Sequence, residues 1–265
     1  MKTIYSGWMR VLSVVFLIVV SSLMAFGQSN EREVHVGVKA GISLPNLVGS
    51  SDQEITKNYK SRLAASFGAF VDVQLHKNTS LQIEVDYAPQ GGKRNGIQPV
   101  TQPIPGLPVL PAGNYYFANF NNTAKLDYIE LPVMLKYRVR RDKPVGAYLN
   151  GGTYVGFLMK ATTVTSGSSS LFLDNRGSIP VMVGPSTPFP TIPFDAKTDV
   201  TDSLNRVNFG ITGGGGITFK HKDNYFFIDG RASYGLTTLQ KDTLNDGKSR
   251  TGNLVMSFGY AFGVK

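Results

Sequence analysis

From residue 34 to the end of the chain, large apolar residues recur at every second position in eight separate segments. A period of two belongs to β-strands, whose successive side chains point to opposite faces; a helix would repeat every 3.6 residues. The last segment is the cleanest. Leu254, Met256, Phe258, Tyr260, Phe262 and Val264 share one face, and Asn253, Ser257, Gly259, Ala261 and Gly263 share the other. The same division sets Val207, Phe209, Ile211, Ile217 and Phe219 against Asn208, Thr212, Thr218 and Lys220, and Phe226, Ile228, Ala232, Tyr234 and Leu236 against Asp229, Arg231 and Ser233. Segments 34–44, 63–75, 81–87, 125–139 and, more loosely, 145–159 repeat it.

The polar face is unusual. In a soluble β-sandwich it meets water and carries Lys, Glu and Arg freely along every strand. Here it is mostly Gly, Ser, Thr and Asn, with a few charges of both signs: Lys39, Asp72, Glu84, Asp86, Glu130, Lys136, Arg138, Asp229 and Arg231. Opposite charges among small side chains suit the crowded lumen of a narrow barrel, where they must neutralise one another. The greasy face then looks outward at lipid, and ring closure satisfies the backbone. The expectation is an all-β chain, an eight-stranded antiparallel transmembrane β-barrel.

Composition narrows the class further. With no Cys among 265 residues, a disulfide scaffold, a thiolate metal site and a lipoprotein anchor are all excluded. The mean hydropathy of −0.07 and one long apolar run argue against a polytopic helical membrane protein. That run, Val11–Val20, follows Lys2 and Arg10 and precedes Ala25-Phe26-Gly27, so residues 1–27 read as a secretory signal peptide and 28–265 as the barrel domain. Losing Lys2 and Arg10 lowers the formal charge of +9 by two and leaves the chain basic. Anionic lipid headgroups and acidic glycans fit that balance, whereas nucleic acid does not fit an exported chain.

Connection lengths alternate as they do in outer-membrane barrels, whose periplasmic turns are short and outer loops long. The short connections fall around residues 76–79, 140–144 and 221–224; the long ones span about 45–62, 91–124, 161–203 and 237–249. Ten of the 14 prolines sit in two long loops, at positions 99, 103, 105, 108, 111, 180, 185, 188, 190 and 193. Gly213-Gly214-Gly215-Gly216 reads as a tight barrel bend. Tyr87, Tyr115, Tyr116, Tyr137, Tyr225 and Tyr260 are candidates for interfacial girdles.

Three blocks carry a resemblance: Gly37-Val38-Lys39-Ala40-Gly41, Leu81–Lys93 with its E-x-x-Y-x-x-x-G spacing, and Leu126–Tyr137 with Y-x-E-x-P-x-x-x-K-Y. In these the chain resembles the PorT-like outer-membrane β-barrel proteins common in Bacteroidetes-type bacteria. The resemblance implies an integral outer-membrane barrel, with some relatives assisting secretion or maturation of exported proteins, and it supplies no catalytic residues. One departure is the C-terminus, Phe262-Gly263-Val264-Lys265, which does not finish on an aromatic residue.

The functional expectation is a non-enzymatic binding, adhesion or secretion-assisting barrel, acting through its outer loops on surface or secretion-machinery proteins, with outer-membrane lipid around it and no cofactor. Candidate loop contacts are Lys93, Arg94, Tyr115, Tyr116, Phe117, Phe120, Phe172, Phe189 and Phe194, as exposed partner residues or as a mutually packed lid. An envelope-integrity barrel or a narrow ion path is the alternative. A hydrolase is disfavoured, because His35, His76 and His221 all fall at the periplasmic end, away from the outer rim, and have no close ligand spacing for a metal.

Overall fold

The structure, a computed structural model, describes residues 33–49, 54–111, 113–139 and 143–264; residues 1–27, expected to be a signal peptide, and part of the 140–144 turn lie outside them. Eight long strands form the wall: β1 (Val34–Gly49), β2 (Ala64–His76), β3 (Thr79–Val100), β4 (Tyr116–Val139), β5 (Val145–Ser166), β10 (Val207–His221), β11 (Asn224–Gly235) and β12 (Ser249–Val264). Four short strands, β6 (Ser168–Ser169), β7 (Leu171–Phe172), β8 (Ile192–Pro193) and β9 (Ala196–Asp199), lie in the β5–β10 connection.

Every long strand pairs antiparallel with its neighbours in chain order, and β4 pairs with β5 and β5 with β10 across the largest connection. β12 then pairs with β1 along the full 16 residues of β1, from Val34 opposite Val264 to Gly49 opposite Ser249. The ring is closed, so through the barrel wall below the β3–β5 extensions each described long strand is paired on both sides. Two-residue turns, Lys77-Asn78 and Lys222-Asp223, join β2 to β3 and β10 to β11. Lys222 takes a φ of 56°, the left-handed geometry such hairpin turns require.

Burial is inverted relative to a water-soluble protein. Phe258 is 66% exposed and Leu149 68%, while Asp72 is 0% and Glu84 1%. Leaving large apolar side chains in water forgoes about 1.5–3 kcal/mol each, so this wall is stable where hydrocarbon covers it. Among the described residues no helix is long and apolar enough to cross a membrane; the strands make the crossing.

Three features differ from the sequence-based expectation. Strands β3, β4 and β5 are 22, 24 and 22 residues long, against the 9–11 that span a bilayer, so much of the expected 91–124 loop is a projecting hairpin. Its outward residues, such as Asn95, Asn119 and Asn121, meet water, so the greasy half of the alternation fades although the strands continue. Gly213–Gly216 does not bend the chain: it pairs without a break with both β5 and β11. The reason is room, since a Cβ on inward-facing Gly214 would meet Gly230 carbonyl and Arg231, and one on Gly216 would meet Ile228 carbonyl and Tyr148. Finally, Tyr225 belongs to no outer girdle; it is buried in the lumen with Phe70, Tyr148, Phe227 and Ala261. Tyr137 and Tyr260 do lie on the outer face, Tyr260 against Phe226 and Phe262.

Candidate functional site

The inward face gathers all nine charges named from the sequence. At the periplasmic side of the lumen, Asp72 Oδ2 accepts from Arg138 Nη2 at 2.6 Å and from Lys136 Nζ at 3.1 Å, and Lys136 also donates to Gln82 Oε1 at 2.9 Å. Aromatic rings press on these cations: Lys136 Nζ lies 4.1 Å from the Tyr148 ring centre, and the Tyr225 ring centre lies 5.5 Å from Lys136 Nζ and 5.7 Å from the Arg138 guanidinium. One level further in, Lys39 Nζ donates to Glu84 Oε2 at 2.6 Å and Asp86 Oδ2 at 2.8 Å. Arg231 meets Glu84 Oε2 and Asp229 Oδ1, both at 2.7 Å, and Tyr148 hydroxyl donates to Asp229 Oδ2 at 2.6 Å. Glu130 is held by Gln90 Nε2 at 2.8 Å.

Alternation in 81–87 already sets Gln82 on the polar face with Glu84 and Asp86, but sequence reasoning missed Gln90, which continues the same inward parity of β3. Tyr148, Tyr154 and Tyr225 are inward too, but a tyrosine at a strand position satisfies either face, so period alone does not assign it.

An apolar layer lies above the charges. Leu47, Ala88, Leu126, Tyr128, Leu158, Ala161 and Leu239 form one buried cluster, with Tyr59, Val200 and Leu204 against it. Leu239 comes from the β11–β12 connection, so a loop side chain helps cork the barrel. Between the periplasmic charges and this cork a cavity of about 50 Å³ lies beside Lys39, Asp86, Glu130 and Arg231, enough for one or two waters.

Beyond the cork, the extensions of β3, β4 and β5 build a second small core. β7 pairs with β4 at Phe117 and Ala118, and β9 pairs with β5 from Thr162 to Thr165. Ile104, Ala118, Phe120, Leu171 and Val181 are buried there, joined by Tyr116, Phe189 and Phe194. Phe120 and Phe194 stack at 4.6 Å with their planes 7° apart. The candidate loop contacts thus divide: Phe117 and Phe120 are buried and Tyr116, Phe189 and Phe194 half-buried in this platform; Tyr115 and Phe172 are half-buried, and Lys93 is exposed. Of the two readings the sequence left open, the aromatic members follow the packed one, because short β-strands fold the loop back onto the hairpin.

Platform and rim enclose a cavity of about 470 Å³. Arg94, only 6% exposed, lines it with Gln98, Tyr59, Asn122, Thr163 and Thr165. Arg94 Nη1 donates to the Glu54 carbonyl at 2.7 Å, while the Glu54 carboxylate is taken by Lys57. Burial draws the Arg94 guanidinium below its ordinary value. Among the described residues, no three His, Asp or Glu side chains are placed to hold a metal ion.

A closed antiparallel ring of eight strands, greasy outside and ion-paired within, defines an integral outer-membrane β-barrel, and the outer membrane is where this chain sits. More specifically, residues 26–241 match the outer membrane protein beta-barrel domain, and the chain belongs to that family. Its strand arrangement is similar to a major outer membrane protein from Thermus thermophilus (11% identity, covering 89% of this chain and 100% of that one, TM-score 0.41). It is also similar to OprG from Pseudomonas aeruginosa (7%, 88% and 95%, 0.40) and to Neisserial surface protein A (10%, 86% and 96%, 0.39). No curated protein sequence matches the chain.

Proposed function

We propose that this protein is a non-enzymatic binding barrel of the PorT-like kind, which engages a surface or secretion partner through its extracellular platform. The observation that carries the reading is the platform itself. Strands β3–β5 run far beyond the length a bilayer needs, and they support a separate apolar core and a 470 Å³ cavity holding the buried guanidinium of Arg94. A barrel serving only to fill the membrane needs neither. Rigid strands carrying adaptable loops are the usual basis of recognition, and cavities of about 300–1,000 Å³ suit small ligands or single anchoring side chains. An anchoring group with an acidic end fits Arg94 best.

The test is a crosslinking pull-down from cells expressing either the full barrel or a barrel with 101–115 and 168–195 replaced by short turns. Partners that co-purify with the first and vanish with the second support the reading, and an unchanged partner set removes it. The tightly filled lumen favours one second reading, a role in envelope integrity. In that case the shortened barrel would restore detergent and osmotic resistance as well as the full one does.

A further inference from the structure

Four lysines stand in a row on the outer wall. Lys60 lies directly opposite Lys93, each backbone N–H donating to the other's carbonyl, at 2.7 and 2.9 Å. Lys93 is opposite Thr123, which puts Lys125 one diagonal step away on the same face; Lys125 is opposite Thr162, which puts Lys160 one more step along. All four are exposed. Side chains of directly opposed residues are close neighbours, and like charges so placed repel. Two acids reach this row, both at its Lys160 end: Asp127, which accepts from Tyr87 hydroxyl at 2.7 Å, and Asp199, which accepts from the Thr201 backbone at 2.9 Å. Among the described residues no carboxylate pairs with Lys60, Lys93 or Lys125.

The height of the row identifies what faces it. Tyr87, Ile129 and Phe157 are opposite one another and mark the upper edge of the lipid-facing belt on β3, β4 and β5. Lys93, Lys125 and Lys160 lie six, four and three residues beyond these along their strands, which at about 3.3 Å per residue and a barrel tilt of about 40° is roughly 8–15 Å higher, and Lys60 is level with Lys93. Lysine stems lie along apolar surface with their ammonium groups in the headgroup zone. At that level β12 carries Arg250, opposite Val48 and within reach of Tyr234.

We propose that Lys60, Lys93, Lys125 and Lys160 form a binding site for the phosphate groups of an outer-leaflet glycolipid. The lipid's phosphates would relieve the Lys60–Lys93 repulsion while its acyl chains lie on the belt below Tyr87. This site is separate from the platform cavity, and its fate does not depend on the partner-binding reading.

The experiment titrates the full barrel in neutral detergent with diphosphorylated lipid A and, in parallel, with the same lipid stripped of phosphate. Wild-type protein should bind the phosphorylated form about tenfold or more tightly, with the preference falling as salt is raised. Replacing all four lysines by Gln should abolish the preference, and replacing them by Arg should keep it. Folding of each variant is read from its heat-dependent gel mobility. If the fourfold Gln variant does not fold, Lys60→Gln and Lys93→Gln are tested singly, each expected to weaken binding about threefold to fivefold. Equal affinity for the two lipids, or Gln variants that bind as wild type does, would overturn the proposal.

Discussion

Arg231 and Glu84, 147 residues apart in the chain, meet across the lumen through a 2.7 Å charge-assisted hydrogen bond. Glu84 is shared with Lys39 and Arg231 with Asp229, so two pairs become one network tying β1, β3 and β11 together. Removing one member of a buried pair strands the other, typically at about 3–5 kcal/mol. Arg231→Met should therefore lower unfolding stability in urea by about 3 kcal/mol. Adding Asp229→Asn should return part of the loss, because Arg231 is the cation that holds that carboxylate, whereas Glu84 keeps Lys39. A double-mutant cycle showing strict additivity would dissolve the network.

The same packing sets the permeability. Charged and aromatic residues fill the periplasmic half, and the Leu47–Leu126–Leu158–Leu239 layer closes the outer half. Purified protein in planar bilayers is expected to show no steady large-conductance opening. Deleting the β11–β12 connection, which removes Leu239, should still leave the ion-paired layer shut. Porin-like current steps from the intact protein would refute this filling.

Two glycines give opposite expectations. Gly214 faces inward, where a Cβ would lie 2.8 Å from Arg231 Cα, and Gly230 faces outward with nothing within 4 Å. Gly214→Val should reduce folded yield sharply in detergent refolding. Gly230→Val should leave it unchanged or improve it, since a β-branched residue suits a strand. Equal yields would show that the inner wall has more freedom than the Arg231 contact permits.

The Phe120–Phe194 stack joins the β4 extension to the loop after β8. Phe120→Ala removes a core ring, a change worth about 3–5 kcal/mol in a packed site. Here the effect should stay local: faster proteolysis between residues 173 and 195, with the barrel's heat-dependent gel mobility unaltered. Global unfolding instead would mean that platform and barrel are one cooperative unit.

Asp174 organises the turn after β7. Backbone N–H groups of Ile179 and Ser178 each donate to Oδ1 at 2.8 Å, and Arg176 N–H donates to Oδ2 at 3.2 Å. These bonds, Ile179's foremost, hold its carboxyl below the ordinary range. A depressed folded value means that the stabilisation is present above the unfolded pKa and is lost as pH falls through the folded one. Protection of the Ser178 and Ile179 amides, taken as exchange relative to the intrinsic rate at each pH, should persist through mildly acidic pH and fall only below the usual carboxylate range. In Asp174→Asn that protection should already be lost at neutral pH.

Legibility from sequence followed the solvent. Where hydrocarbon lies outside and ion pairs lie inside, the two faces differ so strongly that Leu254–Val264 announces both strand and orientation. Beyond the membrane both faces of a strand may carry Asn, Thr or Gly, so the continuation of β3 through Lys93, Asn95 and Ile97 has no periodic mark and reads as loop. The charges at Lys39, Glu84 and Arg231 were visible as a set, because such residues on a largely small and polar face need one another. Which acid meets which base depends on register and tilt, which no single strand encodes. Phe120 and Phe194, 74 positions apart, share no local pattern either; they meet because β9 folds back along β5.

The seam between β1 and β12 joins the first and the last of the long strands. Until the ribosome has released Val264, the partner of Val34 does not exist, and the half-made sheet carries two raw borders of unsatisfied amides. Such a chain cannot zip itself up progressively during export. The wall therefore closes only when the last strand reaches the first, so the β1–β12 ladder is the final one to form.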